Sequence, residues 1–408
     1  MKRRIFIILI LLGLAYVDAS AQWYLFPSRR KARTDTTVVT TVETAPETIQ
    51  SDSTEVPAQF IPDIPEVIKV CLSMPFSGGS ASQQSNFMDF YSGALLAARN
   101  LGNSGLRIDL DVFDSSTGIR RAGRSEMQES DVIIGPVSSA DILAALEFCP
   151  EEKFIISPLD QRTAALVPGH HIVQAASDTD AQIDELVSWI LEDKEANSGL
   201  FTIVKEKGAD PGESNSYLFE RLRESGVVCD TVTYGILEGM MALEKFQSHV
   251  DTSMYRRFII ASDNEAFIGD AIRNISMLKF MGRNVTAYGP SRIKSYESIE
   301  QEDLHSIGLK LTASYHIDYG NAEVKDFILT YRSLFQAEPN AYSFSGHDVV
   351  YYFVKLCSEY GRNWPEKIEE FRWKGLQEDF RFESSGLGIV NKATRRILYN
   401  PDHSTTVF

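Results

Sequence analysis

Ser345, His347 and Asp348 have the side-chain types of a nucleophilic triad. A triad needs serine, imidazole and carboxylate in one hydrogen-bonded line, and residues this close together along the chain are poorly placed to form it. No Gly-x-Ser-x-Gly turn surrounds the serine either. His170-His171 lacks a third ligand at metal spacing and reads as a turn or surface pair. Gly386-Leu387-Gly388 reads as a turn rather than a phosphate loop. Cys71, Cys149, Cys229 and Cys357 are too widely spread for a zinc site; Cys71 falls in a strand pattern and Cys357 on an apolar helical face, so buried free thiols are expected. The expectation is a chain without catalysis, metal or cofactor. Recognition chemistry is offered instead at Gly135-Pro136-Val137-Ser138-Ser139, between a buried strand and a helix starting near Asp141. Backbone N–H groups and hydroxyls at that junction can receive a carboxylate. A serine there can equally cap the helix.

The elements that must position these residues alternate. Apolar runs of strand length, Val67 to Met74, Leu106 to Phe113, Val132 to Ile134 and Phe154 to Ile156, are separated by helical patterns at Phe87 to Leu101, around Arg121 to Gln128, and at Asp141 to Phe148. The order restarts with a helix at Ala181 to Leu191 and strands at Leu200 to Val204, Val227 to Val232, Phe258 to Ala261 and Val285 to Tyr288. Two serial doubly wound α/β units follow from this order. Late material, a strand at Leu309 to Tyr315, helices at Val324 to Phe335 and Asp348 to Tyr360, and short strands at Phe380 to Glu383 and Ile397 to Tyr399, suits lobes that exchange segments across a hinge.

Several fragments in sequence carry a resemblance: Ser73-Met74-Pro75-Phe76-Ser77-Gly78, Tyr91-Ser92-Gly93-Ala94, Ile134 to Ser139, Ile155-Ile156-Ser157-Pro158, Pro339-Asn340-Ala341-Tyr342, Gly346-His347-Asp348, and Phe380 to Glu383 with Gly386. In order and spacing the chain resembles type I periplasmic binding proteins from about Val67 to Tyr399. The resemblance implies two Rossmann-like lobes joined by a three-strand hinge, residues 66–178 with 316–371 forming the first and 179–315 with 372–408 the second. It also implies no enzymatic activity, and a cleft that closes over a ligand. Ser139 falls where amino-acid-binding members hold the ligand carboxylate, beside Ser138; Ser77 and Gln84 would form a polar rim. Departures are also visible. Asp160-Gln161 sets an acid beside that pocket, and Ser291 stands where those members often place a carboxylate for the ligand ammonium. Asn264 replaces a common aromatic, with Asp263 as a nearby charge. An ordinary α-amino acid is therefore not the expected solute.

The N-terminus suggests export. Lys2, Arg3 and Arg4 precede the apolar run Ile5 to Val17 and then Ala19-Ser20-Ala21, the order of a signal peptide cleaved after Ala21. The first cysteine is Cys71, so lipoprotein anchoring is not expected. Residues 22–65 read as a disordered, acidic, Ser/Thr-rich linker. A net charge of -16 over 408 residues argues against nucleic acid as a partner. The expected function is a periplasmic protein binding a small polar solute, serving a membrane permease or sensor. The alternative is a cell-envelope module resembling penicillin-binding-protein activators, its partner a peptidoglycan fragment or a cell-wall synthase.

Overall fold

The computed structural model describes residues 60–118, 124–196, 198–250 and 254–408. The signal peptide expected at 1–21, most of the linker expected at 22–65, and the first residues of the helix expected near Arg121 lie outside the described residues. From Ile68 the chain runs β1 (Ile68–Met74), α1 (Ala81–Asn103), β2 (Ile108–Asp114), α2 (Arg124–Glu129), β3 (Val132–Ile134), α3 (Ser139–Leu146), β4 (Ile155–Ser157) and β5 (Ile172–Gln174). Because successive strand side chains point to opposite faces, β1 builds two cores at once. Val70 and Leu72 pack with Phe90, Ala94 and Ala97 of α1, while Cys71 packs with Met127, Ile133 and Ile142 on the side of α2 and α3. The helices therefore flank both faces of a sheet whose apolar runs admit no solvated side.

The pattern repeats through α4 (Thr179–Ala196), β6 (Leu200–Glu206), α5 (Gly212–Glu224), β7 (Cys229–Tyr234), α6 (Met240–Ser248), β8 (Arg256–Ala261), α7 (Glu265–Phe280), β9 (Val285–Gly289), α8 (Gln301–Ser306) and β10 (Lys310–Ala313). Val204, Phe258 and Ile260 face α6 and α7; Ile203 and Ile259 face Leu186 of α4 and Leu218 of α5. The chain then adds α9 (Ala322–Phe335), α10 (Ala341–Tyr360), the hairpin β11 (Trp373–Lys374) and β12 (Asp379–Phe380), and finally β13 (Phe382–Ser385), β14 (Gly388–Asn391), β15 (Arg395–Tyr399) and β16 (Thr405–Val407). Two seven-stranded sheets result, ordered β13-β14-β5-β4-β3-β1-β2 and β16-β15-β10-β9-β8-β6-β7.

This topology corrects one boundary. Residues 372–408 were expected in the second lobe, yet β14 pairs parallel with β5 and β13 pairs antiparallel with β14, completing the first sheet. The reason is burial. Without β14, β5 would be an open edge; with it, Ile389 joins the core of α1 and α10, and Val390 the core on the opposite face. The segment β15–β16 joins the second sheet through antiparallel pairing of β15 with β10. All four cysteines are free, Cys71 and Cys357 buried and the other two half-buried. No described helix is long and apolar enough to cross a membrane.

Helix α10 lies at the centre of the first lobe, with Phe344, Val349, Val350, Phe353, Val354, Leu356 and Cys357 all buried. It meets α1 backbone to backbone. A Cβ added at Gly93 would lie 1.8 Å from the Ser343 carbonyl oxygen, and one at Gly346 would lie 1.9 Å from that of Phe90. A rotamer change cannot relieve either clash, so Gly93→Ala and Gly346→Ala should each destabilise by about 3 kcal/mol, the upper end of ordinary overpacking costs. Urea denaturation checks this, and a loss under about 1 kcal/mol would contradict the close approach.

Candidate functional site

The chain passes between the lobes at residues 175–178, 314–321 and 392–394, and two side chains tie these crossings together. Asn391 Nδ2 donates to the Ala175 carbonyl at 2.8 Å and to that of Asp379 at 2.9 Å. Arg395 reaches the carbonyls of His316 and Gly375, each at 2.6 Å, and that of Leu376 at 3.2 Å. It also pairs with Asp379 at 2.7 Å. Strands β5 and β10 both end at a crossing, so the carboxyl ends of the two parallel sheets abut the hinge, the edge at which open α/β sheets bind ligands.

A cavity of about 210 Å³ lies there. It is lined by the loop after β4 (Pro158, Leu159, Gln161), by Ala176, by Ser314 and Tyr315 after β10, by Ala341, Tyr342 and Ser345 of α10, and by Gln377 and Glu378. The turn carrying Gln377 and Glu378 is wrapped around a fully buried carboxylate. Asp348 accepts the backbone N–H groups of Leu376, Gln377 and Glu378 at 3.0, 2.8 and 3.1 Å, and its Oδ1 lies 3.1 Å from His347 Nδ1. Asp348 thus shapes the cavity from behind, and with Ser345 Oγ unpartnered no triad is assembled.

Glu378 is the unusual group in the wall. Burial pushes its carboxyl up to about 7, the Asp348 charge adds to the rise, and Ser345, Gln377 and Arg395 pull it partly back. The Ser345 hydroxyl is close enough to act on that charge but outside hydrogen-bonding geometry. Ser345 Oγ, Gln377 Oε1 and Glu378 Oε2 have no hydrogen-bond partner and are shielded from solvent. Unpaired buried polar atoms of this kind cost about 1–3 kcal/mol each.

The residues anticipated from the sequence are distributed around these carboxyl edges. Gln161 lines the cavity, its Nε2 donating to the Ser177 carbonyl at 2.7 Å. Asp160 caps the short helical turn Gln161–Ala165 and is paired with Arg162 at 2.9 Å. Ser138 caps α3, accepting the Asp141 N–H at 3.1 Å and donating to its carboxylate at 2.6 Å; Ser139 is the first residue of that helix and half-buried. Gly135 of the same motif has φ +81°, and a Cβ there would lie 2.0 Å from the Ser73 carbonyl oxygen, so glycine is required. Ser77 donates to Asp114 and shares a 2.6 Å bond with Ser116, while Gln84 holds the Ser77 carbonyl at 3.2 Å.

On the second lobe, Asp263 and Ser291 line a separate cavity of about 80 Å³ with Thr312 and Arg292. The charge expected from Asp263 is already paired with Arg292 at 3.2 Å. Asn264 caps α7 and donates to Glu206 at 3.0 Å. The anticipated residues are therefore not gathered in one cavity. Tyr315, Tyr342, Gln377 and Glu378 were not anticipated. Tyr342 lies in a fragment that carried the resemblance, but nothing local marks the 375–378 turn, which gains its meaning from Asp348 far back in the chain.

Neither a protein-family model nor a curated protein sequence matches the chain. Solved structures do. One described as a branched-chain amino acid ABC transporter from Rhodospirillum rubrum matches with a TM-score of 0.60 at 15% identity, covering 84% of this chain and 100% of that one. A branched chain amino acid ABC transporter periplasmic ligand-binding protein from Burkholderia xenovorans LB400 matches with a TM-score of 0.52 at 10% identity, covering 84% and 94%. The fold is that of type I periplasmic binding proteins, two α/β lobes with a seven-stranded sheet in each.

Proposed function

We propose that this chain is a non-enzymatic ligand-binding protein that holds a small solute in the hinge cavity and closes its lobes over it, presenting the closed form to an ABC-type transporter or a sensor. One observation carries the reading. The cavity is lined jointly by first-lobe loops, the start of α10, and the two segments Ser314–Tyr315 and Gln377–Glu378, which are linked to each other at the hinge. An occupant therefore touches Ala176, Ser314 and Tyr315 of the crossings between the lobes, the place from which a solute can gain different affinities for open and closed states. At about 210 Å³ the cavity lies below the usual range for drug-sized ligands, which favours a small solute. The descriptions of the similar structures support a transport role, and the N-terminal pattern supports export to the periplasm. The cell-wall alternative gains no support from the site or the similar structures.

Thermal unfolding of the purified chain, scanned against amino acids, amines, sugars, nucleosides and short peptides, tests the proposal. A solute at 100 times its dissociation constant should add about 2.7 kcal/mol, a rise of a few degrees in a chain of this size. No rise with any class would count against solute binding.

A further inference from the structure

Among the described residues lining the hinge cavity none is Lys, Arg or His, and one is Glu378. The nearest cations are engaged elsewhere. Arg395 directs its N–H groups to three carbonyls and Asp379. Lys294 donates to the Tyr315 carbonyl at 2.5 Å and sits 3.7 Å from the centre of that residue's ring. Behind Glu378 stands a second carboxylate, Asp348, already saturated by backbone donors. The wall thus offers three unpartnered atoms able to accept: Ser345 Oγ, Gln377 Oε1 and Glu378 Oε2. Tyr315 and Tyr342 add aromatic surface, which attracts cations.

We propose that the hinge cavity binds the alkylammonium end of its solute, with the Glu378 carboxylate as counter-charge and Ser345 and Gln377 as further acceptors. The match is one of number and sign. A primary ammonium has three donors and no acceptor, and the wall has three unpartnered atoms able to accept. A carboxylate placed there would meet Glu378 and Asp348 without a free cation to balance it. The assignment rests on the solute-binding reading and narrows it to cationic solutes.

Binding should then be linked to protonation of Glu378, because only its ionised form is a counter-charge. The other groups facing it are Asp348 from α10, Arg395 from β15, and Tyr315 with its neighbours His316 and Lys294. Burial pushes His316 down to about 4 and Lys294 down to about 8, and raises Tyr315. With Glu378 near 7, its ionised fraction grows about tenfold between about pH 6 and pH 8. Lys294 loses its charge over part of the same range and acts in the same direction, so it needs its own control.

The test titrates the purified chain with butylamine, butyramide and butyrate, matched in size, at both pH values. We expect butylamine to bind most tightly, about tenfold more tightly at the higher pH. Glu378→Gln should weaken butylamine binding by about tenfold or more and flatten its pH dependence. Lys294→Met should leave most of that dependence in place, and circular dichroism confirms that each variant is folded. Tightest binding of butyrate or butyramide, or unchanged butylamine binding in the Glu378→Gln chain, overturns the cationic assignment. If butylamine fails while another solute class raises the unfolding temperature, this inference fails and the solute-binding reading stands. If no solute of any charge acts, both fail.

Discussion

Replacing Asp348 with alanine should destabilise the chain by about 4 kcal/mol. The carboxylate is fully buried and accepts three consecutive backbone N–H groups, those of Leu376, Gln377 and Glu378. Alanine leaves these donors without an acceptor where water does not reach, at about 1–3 kcal/mol for each that stays unpaired. Some relaxation is expected, because the loss of the Asp348 charge lets Glu378 ionise more readily, and the total therefore falls short of three full penalties. Asp348→Asn keeps one carbonyl oxygen and should lose roughly half as much. Urea denaturation of both variants measures the difference. An alanine variant within about 1 kcal/mol of the parent would show that the 375–378 turn does not depend on this carboxylate.

Glu378→Gln should have the opposite sign above neutrality, stabilising the chain by about 3 kcal/mol at pH 8. The ordinary carboxyl value of 4.5 is raised in the folded chain to about 7. Below 4.5 the folded and unfolded chains both hold this proton, and stability is indifferent to it. Between 4.5 and 7 the folded chain keeps a proton that the unfolded chain has released, so stability falls as pH rises, by about 1.4 kcal/mol per unit. Above 7 the full loss is present and constant. Glutamine has the shape of the protonated acid and no charge, so it avoids that loss. Denaturation midpoints of parent and variant should coincide at acid pH and separate between pH 5 and pH 7, with the variant higher. A parent as stable as the variant at pH 8 would mean that Glu378 is not desolvated as the fold implies. A site kept less stable than it could be, at the residue proposed to receive the solute, is consistent with binding function rather than with scaffold packing.

Much of the architecture was legible because its signals are local. Val70, Cys71 and Leu72 alternate between two cores, as a short apolar run must when helices cover both faces of a sheet. The helical spacing at Val350, Phe353, Val354 and Cys357 marked the buried face of α10. Gly-Pro-Val-Ser-Ser was read as a strand-to-helix junction, with anion binding and capping both open. The structure shows Ser138 engaged as a cap, a choice that depends on where Asp141 turns its carboxylate.

By itself the sequence determined the alternation of strands and helices and the two-lobe layout, since each rests on patterns spanning a few turns or residues. Only the tertiary structure decided that β13 and β14 close the first sheet, that the Asp263 charge is met by Arg292, and that Gln161, Tyr315, Tyr342 and Glu378 share one cavity. These outcomes depend on contacts between distant parts of the chain. Asn391 bonds to Ala175 across 216 positions, and Asp348 bonds to Gln377 across 29. Local periodicity shows which face of an element is apolar, but which segments meet is set by the joint burial of all of them.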